Sequence, residues 1–315
     1  MNLLFCNDYM ADLAGGIQTA LPDHTVRTCP EDQVAEAATD IEVLLPARAV
    51  IDSAVFDAAP LLRLVQQPGV GIDKIDVSAA HARGVAVANV PSAEGGLAQA
   101  VAEMALFLMI GAGRRFPQLD HAIRTQDWNV PYGQSLFGAR VCVVGLGGIG
   151  TQIVRLLQPF QCKIVGVRQT PRHSDANELG ISAVYPPDEL IRAMQDCQFV
   201  VLAVPLTAET EHMINAETIA TLDKHTVIVN VARGQVIDHA ALVDALKTER
   251  LVTAGLDVFW HEPFDPNDEV FRYDVFATPH ASNACDVFVR ETSAGVAENI
   301  RRLIADEPLL WLAQP

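Results

Sequence analysis

The 315-residue chain is short of positive charge: 22 Lys and Arg face 39 Asp and Glu, for a net charge of −17. That balance argues against nucleic acid as a partner, because a phosphate backbone would be repelled. It leaves room for a small anion, which needs only local cations, and solubility is the plainest use of the excess acid. Metal-ligand and disulfide patterns are missing too. Cys6, Cys29, Cys142, Cys162, Cys197 and Cys285 are scattered singly, which reads as reduced, buried thiols in a cytoplasmic protein. No apolar run is long enough to span a bilayer, the most apolar stretch (residues 97–110) being interrupted by Gln99 and Glu103. The opening MNLLF has neither the basic flank nor the apolar length of a signal peptide. Repeats and low-complexity segments are absent. What is present is a chain 50% apolar and 19% charged, enough for one large or two modest globular domains.

The strongest local signal is VCVVGLGGIGTQIVRLL, residues 141–157. Four apolar residues suited to a strand buried on both faces are followed by Gly145, Gly147 and Gly150 at G-x-G-x-x-G spacing, then by Ile149, Ile153, Leu156 and Leu157 at helical spacing. Glycines also punctuate ordinary strand–helix turns. With both flanks present, the pattern reads as a dinucleotide site: Gly145 for a tight turn, Gly147 for the approach of a pyrophosphate, Gly150 for close helix packing, and a helix N-terminus facing the phosphates.

Around this turn, short apolar runs and helical patterns alternate. Residues 3–6, 41–45, 64–66 and 85–88 read as strands, with helices over 11–20, 31–37, 53–58 and 78–83. Further strands are expected at 163–167, 199–204, 227–230, 252–257 and 275–277, with helices over 188–195, 216–221 and 239–247. Such alternation implies α/β architecture with parallel sheets, whose ligands sit at the carboxyl ends of strands. Residues 95–113 form one long helix that is apolar nearly all round and needs burial between domains or against a second subunit, so a homodimer is expected. An irregular patch surrounds residues 128–135, and a final helix spans about 286–304.

NVARGQVID (230–238), GLDVFWHEP (255–263) and ATPHAS (277–282) resemble signatures of the D-2-hydroxyacid dehydrogenases, as do QQPGVGIDKID (66–76) and PLTAET (205–210). The order and spacing match over nearly the whole chain. The resemblance implies two doubly wound parallel-sheet domains: a Rossmann nucleotide domain (95–284) inserted in a flavodoxin-like substrate domain (1–94 and 285–315), with a cleft between them.

Reducing a 2-oxo acid requires a hydride donor, a grip on the carboxylate and an acid for the carbonyl oxygen. Arg233, just past a strand end, can fork two hydrogen bonds onto a carboxylate, although an Arg before Gly is often a surface turn residue. His280 also follows a strand end, and imidazole gives and takes protons near neutrality. The resemblance makes Arg233 the substrate-binding arginine, His280 the acid/base and Glu262 the partner that fixes the imidazole. It sets Asp257 on the nicotinamide side and gives the amides of Val70 and Gly71 the substrate carboxylate. A metal held by His261, Glu262 and His280 is rejected, because adjacent side chains of one short loop rarely converge on one ion. Arg48, in a loop after a strand, is a weaker candidate for a distal anionic group, a surface arginine being the simpler account. Implied cofactor contacts are Gly145, Gly147, Gly148, Ile149, Gly150, Arg168, Val204, Pro205, Thr210, Val231, Ala232, Arg233, Asp257, His280 and Ser282.

At the end of the second strand, where an acidic residue selects NAD, the chain has Arg168, followed by Arg172. Arginine there suits a 2′-phosphate and favours NADP over NAD, the alternative being a solvated loop. Glyoxylate or hydroxypyruvate is the expected substrate class. Without a regulatory domain after residue 315, a feedback-controlled biosynthetic role is disfavoured. A nucleotide-sensing, corepressor-like binding protein of the same architecture is the alternative, disfavoured by the lack of long disordered tails.

Overall fold

The computed structural model describes all residues except Gly95, His173, Gln314 and Pro315. The chain divides into two compact units, Met1–Leu97 with Ala284–Pro315, and Ala98–Asn283. Gly95, the expected first residue of the long helix, lies outside the described residues, and the helix runs Leu97–Gly113.

The first unit holds five parallel strands: β1 (Asn2–Phe5), β2 (Thr25–Thr28), β3 (Val43–Leu45), β4 (Leu64–Gln67) and β5 (Ala86–Asn89), in the order β2-β1-β3-β4-β5. This is the flavodoxin-like order. Its inner strands β3 and β4 are buried on both faces; β3 reads as an apolar run, whereas β4 ends in the buried Gln66 and Gln67. The edge strand β2, TVRT, is mostly exposed and polar, which is why periodicity gives no sign of it. Helices start on side-chain caps: Asp52 accepts the amides of Ala54 and Val55, and Asp76 that of Ala79. The C-terminal helix Asp286–Ala305 belongs to this unit. It lies against Ala11–Ala20 so closely at Gly16 that a methyl there would meet Ser293 Oγ at 2.5 Å. Asn299, fully buried, anchors that helix by donating to Gln66 Oε1 of β4 at 2.6 Å and pairing with the backbone of Leu310.

The second unit holds seven parallel strands: β6 (Arg140–Val144), β7 (Lys163–Val167), β8 (Ala183–Tyr185), β9 (Phe199–Leu202), β10 (Val227–Asn230), β11 (Ala254–Leu256) and β12 (Val275–Ala277), ordered β12-β11-β10-β9-β6-β7-β8. The strand order reverses at the β6–β9 junction, as in the Rossmann fold, and open α/β sheets bind ligands beyond the strand ends at such a junction. Strands β9 and β10 are buried throughout. Helix Leu97–Gly113 packs on this sheet through Gly111, where a Cβ would stand 2.1 Å from Phe276, and through Leu108 against Gly255. Two helices escape sequence patterning, Phe116–Thr125 and Asp175–Leu179; both are short and largely polar. Among the described residues no single helix is long and apolar enough to cross a membrane.

Candidate active site

β6 ends at Val144 and the helix Gly148–Leu157 begins directly beyond the glycine turn. Gly145 adopts φ +99°, a conformation glycine reaches without strain, and a methyl there would lie 2.5 Å from the Ala203 carbonyl oxygen. At Gly150 a Cβ would stand 1.8 Å from the Gly145 oxygen, so only glycine lets helix and strand approach. Gly147 differs: nothing lies within 4 Å of where its Cβ would be. It caps the helix with no side chain bonding the first turn, which leaves the amides of Gly148 and Ile149 for an anion. A dinucleotide's pyrophosphate fits that open backbone. In the loop after β9, the Thr210 hydroxyl donates to the Pro205 oxygen at 2.6 Å and accepts the Thr207 amide, fixing the segment that follows Val204.

Arg233 follows β10 on a turn built by Asn230. That buried amide donates to the Arg233 oxygen at 2.8 Å and accepts the Ala232 N–H at 3.0 Å. Val231 and Ala232 are buried, whereas Arg233 is half-buried with one guanidinium nitrogen on the Ala232 oxygen at 2.8 Å. Gly234 then presses on the neighbouring turn, and Gln235 Nε2 donates to the Trp260 oxygen at 2.8 Å. The turn bearing Arg233 is thereby packed against the turn bearing Glu262.

His280 follows β12. Its Nδ1 lies 2.8 Å from both carboxylate oxygens of Glu262, and the two side chains are 23% and 22% exposed. With a carboxylate on one side, Nδ1 carries a proton. The residue sits at φ +52°, in the left-handed region that non-glycine residues seldom occupy. Asp257 holds it there. This fully buried carboxylate accepts Thr278 Oγ1 at 2.6 Å, the Ala281 amide at 2.8 Å, the Ser282 amide at 3.2 Å and the Ser282 hydroxyl. Asp257, expected on the nicotinamide side, and Ser282, expected among the cofactor contacts, meet side chain to side chain, and Asp257 braces the backbone on either side of His280.

Arg168, beyond β7, donates from Nη1 to Asp175 Oδ1 at 3.0 Å, and Arg172 donates its backbone amide (2.7 Å) and Nε (2.8 Å) to the same carboxylate. Asp175 is 1% exposed. The Arg172 amide above all, with both guanidiniums, keeps its carboxyl below the usual range despite burial. Sequence reasoning found the arginines and missed this organiser, whose only signal is its place three residues after Arg172 at the start of a helix.

In the first unit, Val70 and Gly71 follow β4, Val70 being 39% exposed. The Val70 carbonyl accepts Asn89 Nδ2 at 2.9 Å and the Gly71 carbonyl accepts Gln67 Nε2 at 2.7 Å. Arg48, half-buried, stands beyond β3 after Ala47, itself left-handed at φ +55°. Among the described residues no group of three or more His, Cys, Asp or Glu is arranged to hold a metal ion.

Residues 106–282 match the family model described as D-isomer specific 2-hydroxyacid dehydrogenase, NAD binding domain. The chain belongs to that family. Glyoxylate reductase of Korarchaeum cryptofilum is 37% identical over 257 residues, covering 79% of this chain and 75% of the relative. D-3-phosphoglycerate dehydrogenase of Methanocaldococcus jannaschii is 33% identical over 280 residues, 88% of this chain and 52% of the relative, so this chain spans about half of that enzyme. Among solved structures, the NADPH-dependent glyoxylate/hydroxypyruvate reductase of Sinorhizobium meliloti in complex with NADP and malonate superposes with a TM-score of 0.84 at 29% identity, covering 99% of this chain and 96% of that one. As a D-2-hydroxyacid dehydrogenase the protein is an NAD(P)-dependent enzyme of small 2-oxo and 2-hydroxy acids.

Proposed function

We propose that this dehydrogenase reduces a small 2-oxo acid of the glyoxylate or hydroxypyruvate type to its D-2-hydroxy acid, with NADPH preferred over NADH. The observation that carries the reading is the His280–Glu262 pair, braced by Asp257 and packed beside the Arg233 turn. Held at the amides of Gly148 and Ile149, a reduced dinucleotide would supply the hydride. Arg233 grips the carboxylate and carbonyl, pulling electron density toward oxygen. His280 Nε2 delivers a proton to that oxygen as the C–H bond forms, and Glu262 offsets the imidazolium charge and keeps the ring oriented. The Val70 and Gly71 amides are proposed anion donors, and Arg48 a proposed contact for a distal anionic group where a substrate has one.

Arg168 and Arg172, held by Asp175, receive the 2′-phosphate of NADPH. The exposed aromatic and aliphatic side chains of Phe107, Phe116, Ile123, Trp128 and Tyr132 favour a second copy of the chain as their cover, giving a cytoplasmic homodimer. Light scattering at twice the chain mass supports that assembly and a monomer refutes it. The relatives named above are reductases and dehydrogenases, which gives the corepressor-like alternative no support. A panel of 2-oxo acids assayed with both nucleotides tests the reading: turnover of a short acid with NADPH supports it, and no turnover with any acid refutes it.

A further inference from the structure

We infer that Gln67 is a positioning residue for substrate binding, a single side chain that sets the backbone of both first-unit loops assigned above to the substrate. This rests on the proposed role of Val70, Gly71 and Arg48. Gln67 ends β4 and is 7% exposed. Its one amide nitrogen donates to the Gly71 oxygen at 2.7 Å and the Ala47 oxygen at 3.0 Å, so both N–H bonds are spent across two loops far apart in sequence. The assignment of nitrogen and oxygen is forced, because an amide oxygen facing two carbonyls would be repelled.

Gln67 fixes two peptide planes, and Asn89 fixes a third. A trans peptide points its N–H opposite its C=O. The Ala47 carbonyl fixes the Arg48 N–H and holds Ala47 in its left-handed conformation, which costs energy unless surroundings impose it. The Gly71 carbonyl fixes the next peptide plane, and Asn89, by holding the Val70 carbonyl, fixes the Gly71 N–H. Consecutive peptides held in one orientation form the kind of backbone that presents amide donors to an anion. Gln67 Oε1 is buried with no hydrogen-bond partner among the described residues, a penalty that an apolar side chain of the same length would avoid. An amide at this position is therefore explained by its two donors.

Gln67→Met keeps the length and the packing and removes both donors. With glyoxylate and NADPH, KM for the oxoacid should rise about tenfold, with KM for the nucleotide unchanged and kcat within about twofold. Oxoacid KM equal to wild type overturns the inference. So does a uniform loss across kcat and both KM values, which marks a merely structural residue. Should the wild-type protein reduce no oxoacid, the functional proposal fails by itself, and amide hydrogen exchange then decides the present point: faster exchange over residues 69–72 in Gln67→Met sustains the clamp, and identical exchange removes it.

Discussion

Gly234 and Phe259 touch backbone to backbone: a methyl on Gly234 would stand 2.1 Å from the Phe259 carbonyl carbon and 2.4 Å from the Trp260 nitrogen. Rigid main chain cannot yield as a side-chain tip would. The glycine after Arg233 is thus what lets the arginine turn and the Glu262 turn share one place.

Gly234→Ala should cost about 1–3 kcal/mol of stability, the range for overpacking, and should lower kcat/KM by moving Arg233 relative to Glu262. Thermal unfolding and steady-state kinetics check both effects. Wild-type kinetics in the variant would separate the two turns.

Glu262→Gln keeps a hydrogen-bonding oxygen near His280 Nδ1 and removes the charge that balances an imidazolium. The expected outcome is a lower kcat, nearly unchanged KM for both substrates, and an altered pH–rate profile. An unaltered profile would remove Glu262 from its assigned part.

Arg168→Ala should raise KM for NADPH by at least about tenfold and leave KM for NADH nearly unchanged, since a charge-assisted hydrogen bond contributes about 1.5–3 kcal/mol. Equal effects on both nucleotides would show that Arg168 does not read the 2′ position.

Asp268 provides a pH test that involves no catalysis. Burial raises its carboxyl pKa, but the Val270 amide and His239, 2.8 Å away, outweigh burial and leave it below the ordinary value. A carboxyl depressed in the folded state stabilises the protein at pH above its unfolded value of about 3.9 and stops doing so as pH falls through the folded value. Asp268→Asn should therefore lower Tm at neutral pH, and the gap from wild type should close below about pH 4. A gap independent of pH contradicts the assignment.

Legibility in the sequence followed burial. The runs at 141–144 and 227–229 are apolar throughout because β6 and β10 are covered on both faces. The edge strands β2 and β8 have exposed or half-buried side chains and owe their conformation to a hydrogen-bonded neighbour, which periodicity does not report. At the site, Arg233 and His280 are readable as positions because they follow strand ends, and Glu262 through the family resemblance. Asp175, Gln67 and the turn-building part of Asn230 are not. They act by hydrogen-bonding backbone or guanidinium groups whose location depends on the fold, and Gln67 reaches Ala47, twenty residues away.

Single-turnover reduction of glyoxylate by saturating NADPH, wild type against His280→Ala, tests proton delivery most directly. The account expects nucleotide oxidation to slow by about 10²–10⁴-fold, the usual contribution of a general acid, with nucleotide affinity retained. A variant that oxidises NADPH at the wild-type rate would contradict it.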